Sequence, residues 1–425
     1  MKPDWMKPKG YLHLTPSLFC HSQWRQYKAK IENPDFVASY AFYPLIHAVI
    51  KQRRYKKPDK TKHVGERRKH CHKDSKSGKF ESTAKLRPLH YATHFDALIY
   101  SYYASIIQKK YEIELKKNVE LDRAVIAYRK IKINEAGDAG KSTIHFAKEV
   151  FDEIKSRAQI SDVGVLTFDI KNFFPSLDHD LLKDKWIELV GLEEFNRHHF
   201  RVFEACTKFS YLLLNELNRM PHRSGYDETK LAKIRREKGY KCFFESNADF
   251  RKAIKQGRLG IFKNPFYQKR KNKKVNVDIP QGLALSAVLA NIYLLEFDKK
   301  IVELIVEKQK CFYRRYSDDL IIICSPVQLQ QIKIEVDLMI RTCHLEINEG
   351  KTEKYIFRYL PFNQEGELRL SCVNVTNDEK QIHNTYLTYL GFEFRGYNTT
   401  IKSSNLAKYY RRIISVVKRR AKRAH

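Results

Sequence analysis

Three carboxylates stand out as a set: Asp169 at the end of the alternating run VGVLTFDI, and Asp318 and Asp319 in the middle of CFYRRYSDDLIIIC. Each interrupts a β-prone hydrophobic pattern at its exposed end, although about 150 positions separate the first from the other two. If those strands are neighbours, the carboxylates converge, and such a cluster repels itself unless cations neutralise it. Oxygen-rich sites with few protein ligands suit Mg2+ bound together with substrate phosphates. Two ions about 3.5–4 Å apart would activate an attacking hydroxyl and stabilise a leaving pyrophosphate. Asp-Asp in a turn is common for structural reasons alone, so this chemistry rests on all three acids together.

The surrounding elements must position them. In VGVLTFDI, Leu166, Phe168 and Ile170 take one face and Val165, Thr167 and Asp169 the other, which predicts a strand. Pro175 and Asp178 follow as turn and cap signals before a helix through DLLKDKWIELV. Phe95, Leu98, Ile99, Tyr102 and Ile106 recur at three and four residues, the period of an amphipathic helix, and the chain before 160 reads as mostly helical. IPQG opens a second helical pattern through Leu285, Val288, Leu289, Ile292 and Leu295 toward 308. CFYRRYSDDLIIIC reads as a hairpin with its acids at the tip. HLEIN, KYIFRYL and YLGFEF read as short strands, and a basic helix closes the chain from about 402.

Charge narrows the partner. The 425 residues carry a formal net charge of +31, which calls for a polyanion. Residues 51–73 hold eleven Lys/Arg and two acids, 251–274 hold ten and none, and 402–425 hold nine and none. Aromatic residues are interleaved with them (Tyr55; Phe262, Phe266, Tyr267; Tyr409, Tyr410), a pattern suited to gripping nucleic acid. With 43% hydrophobic residues the chain has ample core material, and disorder as the main state is excluded. No apolar run is long enough to span a bilayer, so the expectation is a protein that is neither exported nor membrane-bound. The eight cysteines show no CxxC spacing and read as reduced thiols of a cytoplasm. His63, His70, Cys71 and His72 match no standard zinc finger, and a solvated basic loop is the preferred reading there.

In order along the chain, FDIKNFFPSLDH, IPQGLALSAVLANIYL, YSDD, EINEGKTE and YLGFEF resemble five motifs of reverse transcriptases over 168–394. The resemblance implies an α+β right-hand polymerase fold, with fingers in about 1–160, a palm in 161–396 interrupted by a basic fingers insertion at about 222–280, and a short thumb-like helix in 397–425. It implies RNA-directed DNA synthesis with two Mg2+ ions held by Asp169, Asp318, Asp319 and the carbonyl of Ile170. Phe174 would lie under the incoming sugar and favour dNTPs, although a core aromatic beside Phe173 is an open alternative. Gln281 and Gly282 would lie beneath the new base pair, and Tyr316 belongs to the catalytic box. Lys351 would serve as a proton donor near the pyrophosphate, or be a solvated turn lysine. Arg87 in LRPL and Arg129 in YRKI would clamp the triphosphate. Ser286-Ala287 stands where the family has Ser-Pro.

Asn247-Ala248 followed by Asp249-Phe250-Arg251 lacks the histidine of the retron NAxxH element, which argues against a retron. LRPLHYATHFDALIYSYYA, AVIAYRKI and HFAKEVFDEIK resemble bacterial defence-associated reverse transcriptases of the "unknown group" class, most closely type 2. That likeness implies a cytoplasmic enzyme of phage defence that copies a dedicated noncoding RNA into repetitive cDNA. With about thirty residues after the fifth motif, no RNase H, integrase or endonuclease domain is expected. Two other readings stay open: a template-independent or protein-primed polymerase of the abortive-infection type, and a non-catalytic RNA-binding scaffold.

Overall fold

The computed structural model describes residues 2–7, 9–16, 23–52, 71–73, 80–82, 84–134, 137–191, 193–217, 242–264, 266–270, 273–376 and 378–424. The chain forms two compact units, one of residues 1–111 and 174–292, the other of 112–173 and 293–425. These boundaries differ from the division expected at 160 and 396. The helix Thr143–Ala158 buries its apolar side on the sheet that carries Asp169, so it belongs with that sheet. Residues 174–292 instead return to the N-terminal strands.

In the first unit, the region before 91 contributes strands where helices were expected. β1 (Leu45–Gln52) pairs antiparallel with β4 (Lys85–Tyr91) and parallel with β6 (Ser210–Leu213), and β7 (Phe262–Lys263) completes the sheet. β2 (Cys71–Lys73) and β3 (Phe80–Ser82) form a separate ladder, as do β8 (Tyr267–Arg270) and β9 (Lys273–Asn276). His63, His70 and most of the first basic run lie outside the described residues, as does all of 222–241.

The helices of this unit are α1 (Trp24–Glu32), α2 (Pro34–Ser39), α3 (His94–Leu115, running into the second unit), α6 (His179–Val190), α7 (Arg197–Thr207), α8 (Leu214–Leu217), α9 (Asn247–Lys255) and α10 (Ala284–Tyr293). Local chemistry sets their ends. Asn33 accepts from the N–H groups of Asp35 and Phe36 with Pro34 at the first position of α2. Asp178 caps α6 as expected, and Gly191 closes it at φ 73°. Leu14, Ile46, Leu212, Phe243 and Phe250 centre the core.

The second unit is built on a six-stranded antiparallel sheet in the order β10-β11-β5-β12-β13-β14. Its strands are β5 (Val163–Asp169), β10 (Phe312–Tyr316), β11 (Asp319–Cys324), β12 (Glu353–Pro361), β13 (Leu368–Val375) and β14 (Gln381–Ile382). β5 lies inside the sheet and is covered on both sides. α5 (Thr143–Ala158) packs Val150, Phe151 and Ile154 against the side of Val163 and Val165. On the opposite side, a Cβ at Gly164 would come within 2.9 Å of the Leu329 side chain, so glycine there lets α12 (Leu329–Thr342) lie close. α12 was not anticipated, although Leu329, Ile332, Val336 and Ile340 carry its helical period.

α4 (Val119–Ala124) and α11 (Leu295–Ile301), continued by a π-helical turn Val302–Glu307, complete the support. HLEIN gives one isolated bridge, Ile170 with Ile347, where a strand was expected. YLGFEF forms the hairpin of β15 (Leu387–Tyr389) and β16 (Phe392–Phe394), joined by β17 (Thr399–Ile401). The last helix, α13 (Ser403–Ala424), leaves Tyr409, Ile414 and Val417 more than half exposed.

Candidate active site

Asp169 ends β5 and Asp319 begins β11, and the antiparallel register sets them directly opposite each other. The Ile170 N–H donates to the Asp318 carbonyl at 3.1 Å, one step beyond that pair. The two acids therefore occupy the narrow, non-hydrogen-bonded position of the ladder, where facing side chains come closest. Like charges so placed destabilise a sheet unless a cation intervenes. Lys351 supplies one: its Nζ lies 2.5 Å from Asp169 Oδ2, which also accepts from Asn348 Nδ2 at 3.2 Å. The Asn348 N–H donates to the Asp169 carbonyl at 2.8 Å, so the loop carrying Lys351 is tied to the strand end by backbone as well as side chain.

The chemistry of these donors fits a hard divalent cation, since Asp169, Asp318, Asp319 and the Ile170 carbonyl offer only oxygen. Among the described residues no three His, Cys, Asp or Glu side chains form a ready metal group. Of the three carboxylates expected to converge, Asp169 and Asp319 face each other while Asp318 lies in the adjoining turn, and the three do not form one such group. An ion would complete its shell with oxygens from elsewhere, as Mg2+ commonly does. A cavity of about 390 Å³ adjoins the pair, bordered by Asp169, Asp319, Lys351, Tyr389, Gly391 and Lys402.

The turn between β10 and β11 has two residues, because Tyr316 pairs with Asp319. Ser317 adopts φ 62°, a left-handed conformation that costs a non-glycine residue roughly 1–2 kcal/mol. Two contacts hold it there. Tyr128, itself at φ 61°, places its hydroxyl 3.1 Å from Ser317 Oγ, and Arg315 Nη1 donates to the Ser317 carbonyl at 3.2 Å. Burial pushes the Tyr128 phenol above its usual range, which keeps it neutral.

Arg315 is itself fully buried, as is Asp298, which accepts from Arg315 Nε at 2.8 Å, from Nη2 at 2.6 Å and from the Tyr313 hydroxyl at 2.8 Å. Arg315, Asp298, Tyr128 and Asn348 were missed in the sequence. Only the doubled arginine of FYRRY, in a strand otherwise reading as apolar, hinted that one of the two must have a buried partner.

The remaining expected residues separate. Arg129 lies in the same unit as the carboxylates, but its guanidinium is almost wholly buried. Its N–H groups are given to Glu112 at 3.0 and 2.7 Å, to the carbonyls of Asp122 and Val125 at 2.6 and 2.7 Å, and to the Asp122 carboxylate. All five donors are used, so a triphosphate clamp at Arg129 is set aside in favour of a structural tie.

Arg87, Phe174, Gln281 and Gly282 belong to the other unit. Arg87 is exposed on β4. Phe173 is buried and Phe174 half-buried, so the core role falls to Phe173. The Phe174 carbonyl accepts from the Ile279 N–H at 3.3 Å, which binds its turn to the IPQG segment. The Gln281 carbonyl accepts from the His90 N–H at 2.7 Å, and Gly282 stands at φ 121°, where a Cβ would come within 2.5 Å of the His90 carbonyl. The need for glycine at 282 therefore arises inside the protein, from strand β4. Ser286 Oγ donates to the Pro280 carbonyl at 2.5 Å, which fastens the same loop to α10.

Among the described residues no helix is long and apolar enough to cross a membrane. A comparison with curated proteins finds no match. Among solved structures, apo telomerase from Candida tropicalis truncated from its C-terminal domain is 12% identical, with 75% of this chain and 53% of that one covered, at a TM-score of 0.42. Telomerase from Candida albicans in complex with a fragment of telomeric RNA is 11% identical, with 90% and 49% covered, at 0.42. The chain thus spans about half the length of these structures. Residues 224–394, which include IPQG, the YSDD turn, Lys351 and the YLGFEF hairpin, match the family model described as reverse transcriptase (RNA-dependent DNA polymerase). The match covers fewer than half of the residues of the chain, and over that segment the chain is similar to a reverse transcriptase domain; its mixed helices and sheets agree with the expected α+β right-hand polymerase fold.

Proposed function

We propose that the chain copies a dedicated noncoding RNA into cDNA by nucleotidyl transfer at the Asp169–Asp319 pair, and that this synthesis serves phage defence. The observation that carries the catalytic part is the register that sets Asp169 opposite Asp319 with the Lys351 ammonium against one of them. Asp169, Asp318, Asp319 and the Ile170 carbonyl would hold two divalent ions, Mg2+ by donor chemistry. Such ions, when bound, supply charge neutralisation and lower the pKa of a coordinated hydroxyl. Lys351, whose Nζ lies beside Asp169, would deliver a proton to a departing pyrophosphate oxygen, as the motif resemblance implies. The Tyr128, Arg315 and Asp298 contacts hold the turn that sets Asp318 and Asp319.

In the other unit, Phe174 would exclude a 2′-hydroxyl, Gln281 and Gly282 would border the new base pair, and Arg87 would contact the triphosphate, as the motif resemblance implies. Tyr316 would border the primer end. The noncoding RNA, the repetitive product and the defence role rest on the likeness of LRPLHYATHFDALIYSYYA and its companion segments to "unknown group" enzymes. The net charge of +31 supports a nucleic-acid partner in general.

The test is to purify the chain with its nucleic acid and sequence the RNA and DNA fractions separately, from wild type and from Asp318→Asn. One discrete RNA with complementary DNA in wild type, and the RNA alone in the variant, is the expected result. DNA without complementary RNA that stays attached to denatured protein would overturn the templated reading.

A further inference from the structure

The first unit contains a cavity of about 470 Å³, formed by the N-terminal helices and the start of α3, that the polymerase chemistry does not use. Four of its wall residues are aromatic and touch one another. The Phe95 ring lies 5.9 Å from Tyr27, 5.8 Å from Phe36 and 5.5 Å from Tyr40, centroid to centroid. Phe36 and Tyr40 are themselves 5.6 Å apart. A cavity of this size and lining lies within the range of about 300–1,000 Å³ common for small-molecule sites.

Polar side chains interrupt this aromatic lining. Thr93 lines the cavity, is 3% exposed, and has a hydroxyl without a hydrogen-bond partner. The omission is unusual for its position. The Thr93 carbonyl accepts from the Ala97 N–H at 2.9 Å, which makes Thr93 the N-cap of α3, where a threonine hydroxyl ordinarily caps the helix. A buried hydroxyl left unsatisfied is expensive, and a ligand that bonds to it removes the penalty.

Asn247 and Lys30 also border the cavity, alongside Thr15, Tyr43, His94, Glu245 and Ser246. Asn247 accepts from the Tyr43 hydroxyl at 2.8 Å through Oδ1, which leaves its amide N–H groups to donate. Lys30 is exposed and has no carboxylate partner among the described residues. Planar rings for stacking, an unused hydroxyl, an amide for a heterocycle edge and an unpaired cation for an anion together describe a nucleotide. The overall positive charge favours a nucleotide that belongs to a strand.

We propose that the cavity walled by Tyr27, Phe36, Tyr40 and Phe95 receives one unstacked nucleotide of a bound RNA, its base against Thr93 and its phosphate toward Lys30. Such a site would hold the RNA in place by a feature remote in sequence from the carboxylates, and it needs neither metal nor synthesis. It goes beyond the polymerase reading and can fail independently of it.

The experiment uses the full chain in EDTA, so that no metal-bound nucleotide contributes. RNA from the purified complex is transcribed with 4-thiouridine, rebound and photocrosslinked, and the peptides are mapped. Crosslinks to the segments holding Tyr27, Phe36, Tyr40 or Phe95 are expected. Thr93→Val and Phe36→Leu should each weaken RNA binding about fivefold, the size of one hydrogen bond or one ring contact. Primer extension on a saturating supplied primer and template should not change.

Crosslinks confined to other segments would overturn the proposal, as would unchanged RNA affinity in both variants. Saturation by 5′-mononucleotides with no crosslink from RNA would overturn the strand assignment in favour of a free nucleotide. Displacement by an aromatic-rich peptide but not by RNA would overturn it in favour of a protein partner.

Discussion

Tyr128 and Ser317, 189 residues apart, hold each other by their hydroxyls at 3.1 Å while both stand in left-handed backbone conformations. Backbone strain of this kind persists where surrounding contacts over-determine it and is concentrated at functional sites. Tyr128→Phe should cost about 1 kcal/mol of stability and lower primer extension several-fold, with RNA affinity unchanged. Ser317→Gly should fold at least as stably as wild type, because glycine relieves the strain, yet synthesise less because the hydroxyl is lost. Denaturation midpoints and extension rates measured on the same preparations check both.

The buried Asp298–Arg315 pair leads to a different expectation. Asp298→Ala leaves an uncompensated guanidinium in the core and should destabilise the chain by about 3–5 kcal/mol. Replacing both partners, with Met at 315 and Leu at 298, should recover much of that stability, but the Ser317 carbonyl would lose its donor and synthesis should stay low. Equilibrium unfolding of the single and double variants gives the comparison.

Removal of Lys351 separates two roles. If it delivers the proton, Lys351→Ala should lower the maximal rate by about 10²–10⁴-fold. Loss of its ammonium also frees the Asp169 oxygen it holds, so the Mg2+ concentration for half-maximal rate should fall. A variant with an unchanged maximal rate and a shifted metal requirement would reduce Lys351 to an ion-pair partner.

Asp96 carries a pH dependence. It is buried in the first unit, bonded to the Tyr40 hydroxyl and the Tyr43 N–H at 2.8 Å each, and burial pushes its carboxyl up to about 7. A carboxyl with a raised folded-state value favours folding at low pH, and that contribution is lost as pH rises from about 4 through 7. Buried His13, His90 and His199 act oppositely, since burial lowers each to about 4 and their contribution is lost as pH falls from 6.5 toward 4. Relative to wild type, Asp96→Asn should therefore gain stability steadily between pH 4 and 7 and level off above. Thermal midpoints at pH 4.5, 6, 7 and 8.5 test the sign.

Much of the carboxylate site was legible because its residues end hydrophobic patterns. The alternation in VGVLTFDI and the two halves of CFYRRYSDDLIIIC located β5, β10 and β11 and placed Asp169 and Asp319 at strand ends. What holds the turn was hidden, because Asp298, Tyr128 and Arg315 meet only through tertiary packing, and no local pattern marks a buried ion pair. Arg129 was misread for the same reason: basic residues look alike in sequence whether they face phosphate or a pair of acids. The strands β1 and β4 were overlooked because the chain before 160 was read as mostly helical, and neither LIHAVIKQ nor KLRPLHY shows a clean alternation of apolar and polar residues.

Gly282 and His90 have a mechanical meaning. With the His90 N–H bonded to the Gln281 carbonyl and no room for a Cβ between the two backbones, strand β4 and the loop entering α10 are joined without slack. The antiparallel partner β1 extends that join through seven residue pairs, from Ile46 to Gln52. A nucleic-acid strand held at exposed Arg87 would thus be linked to Gln281 through backbone contacts alone, by way of β4 and the His90 N–H.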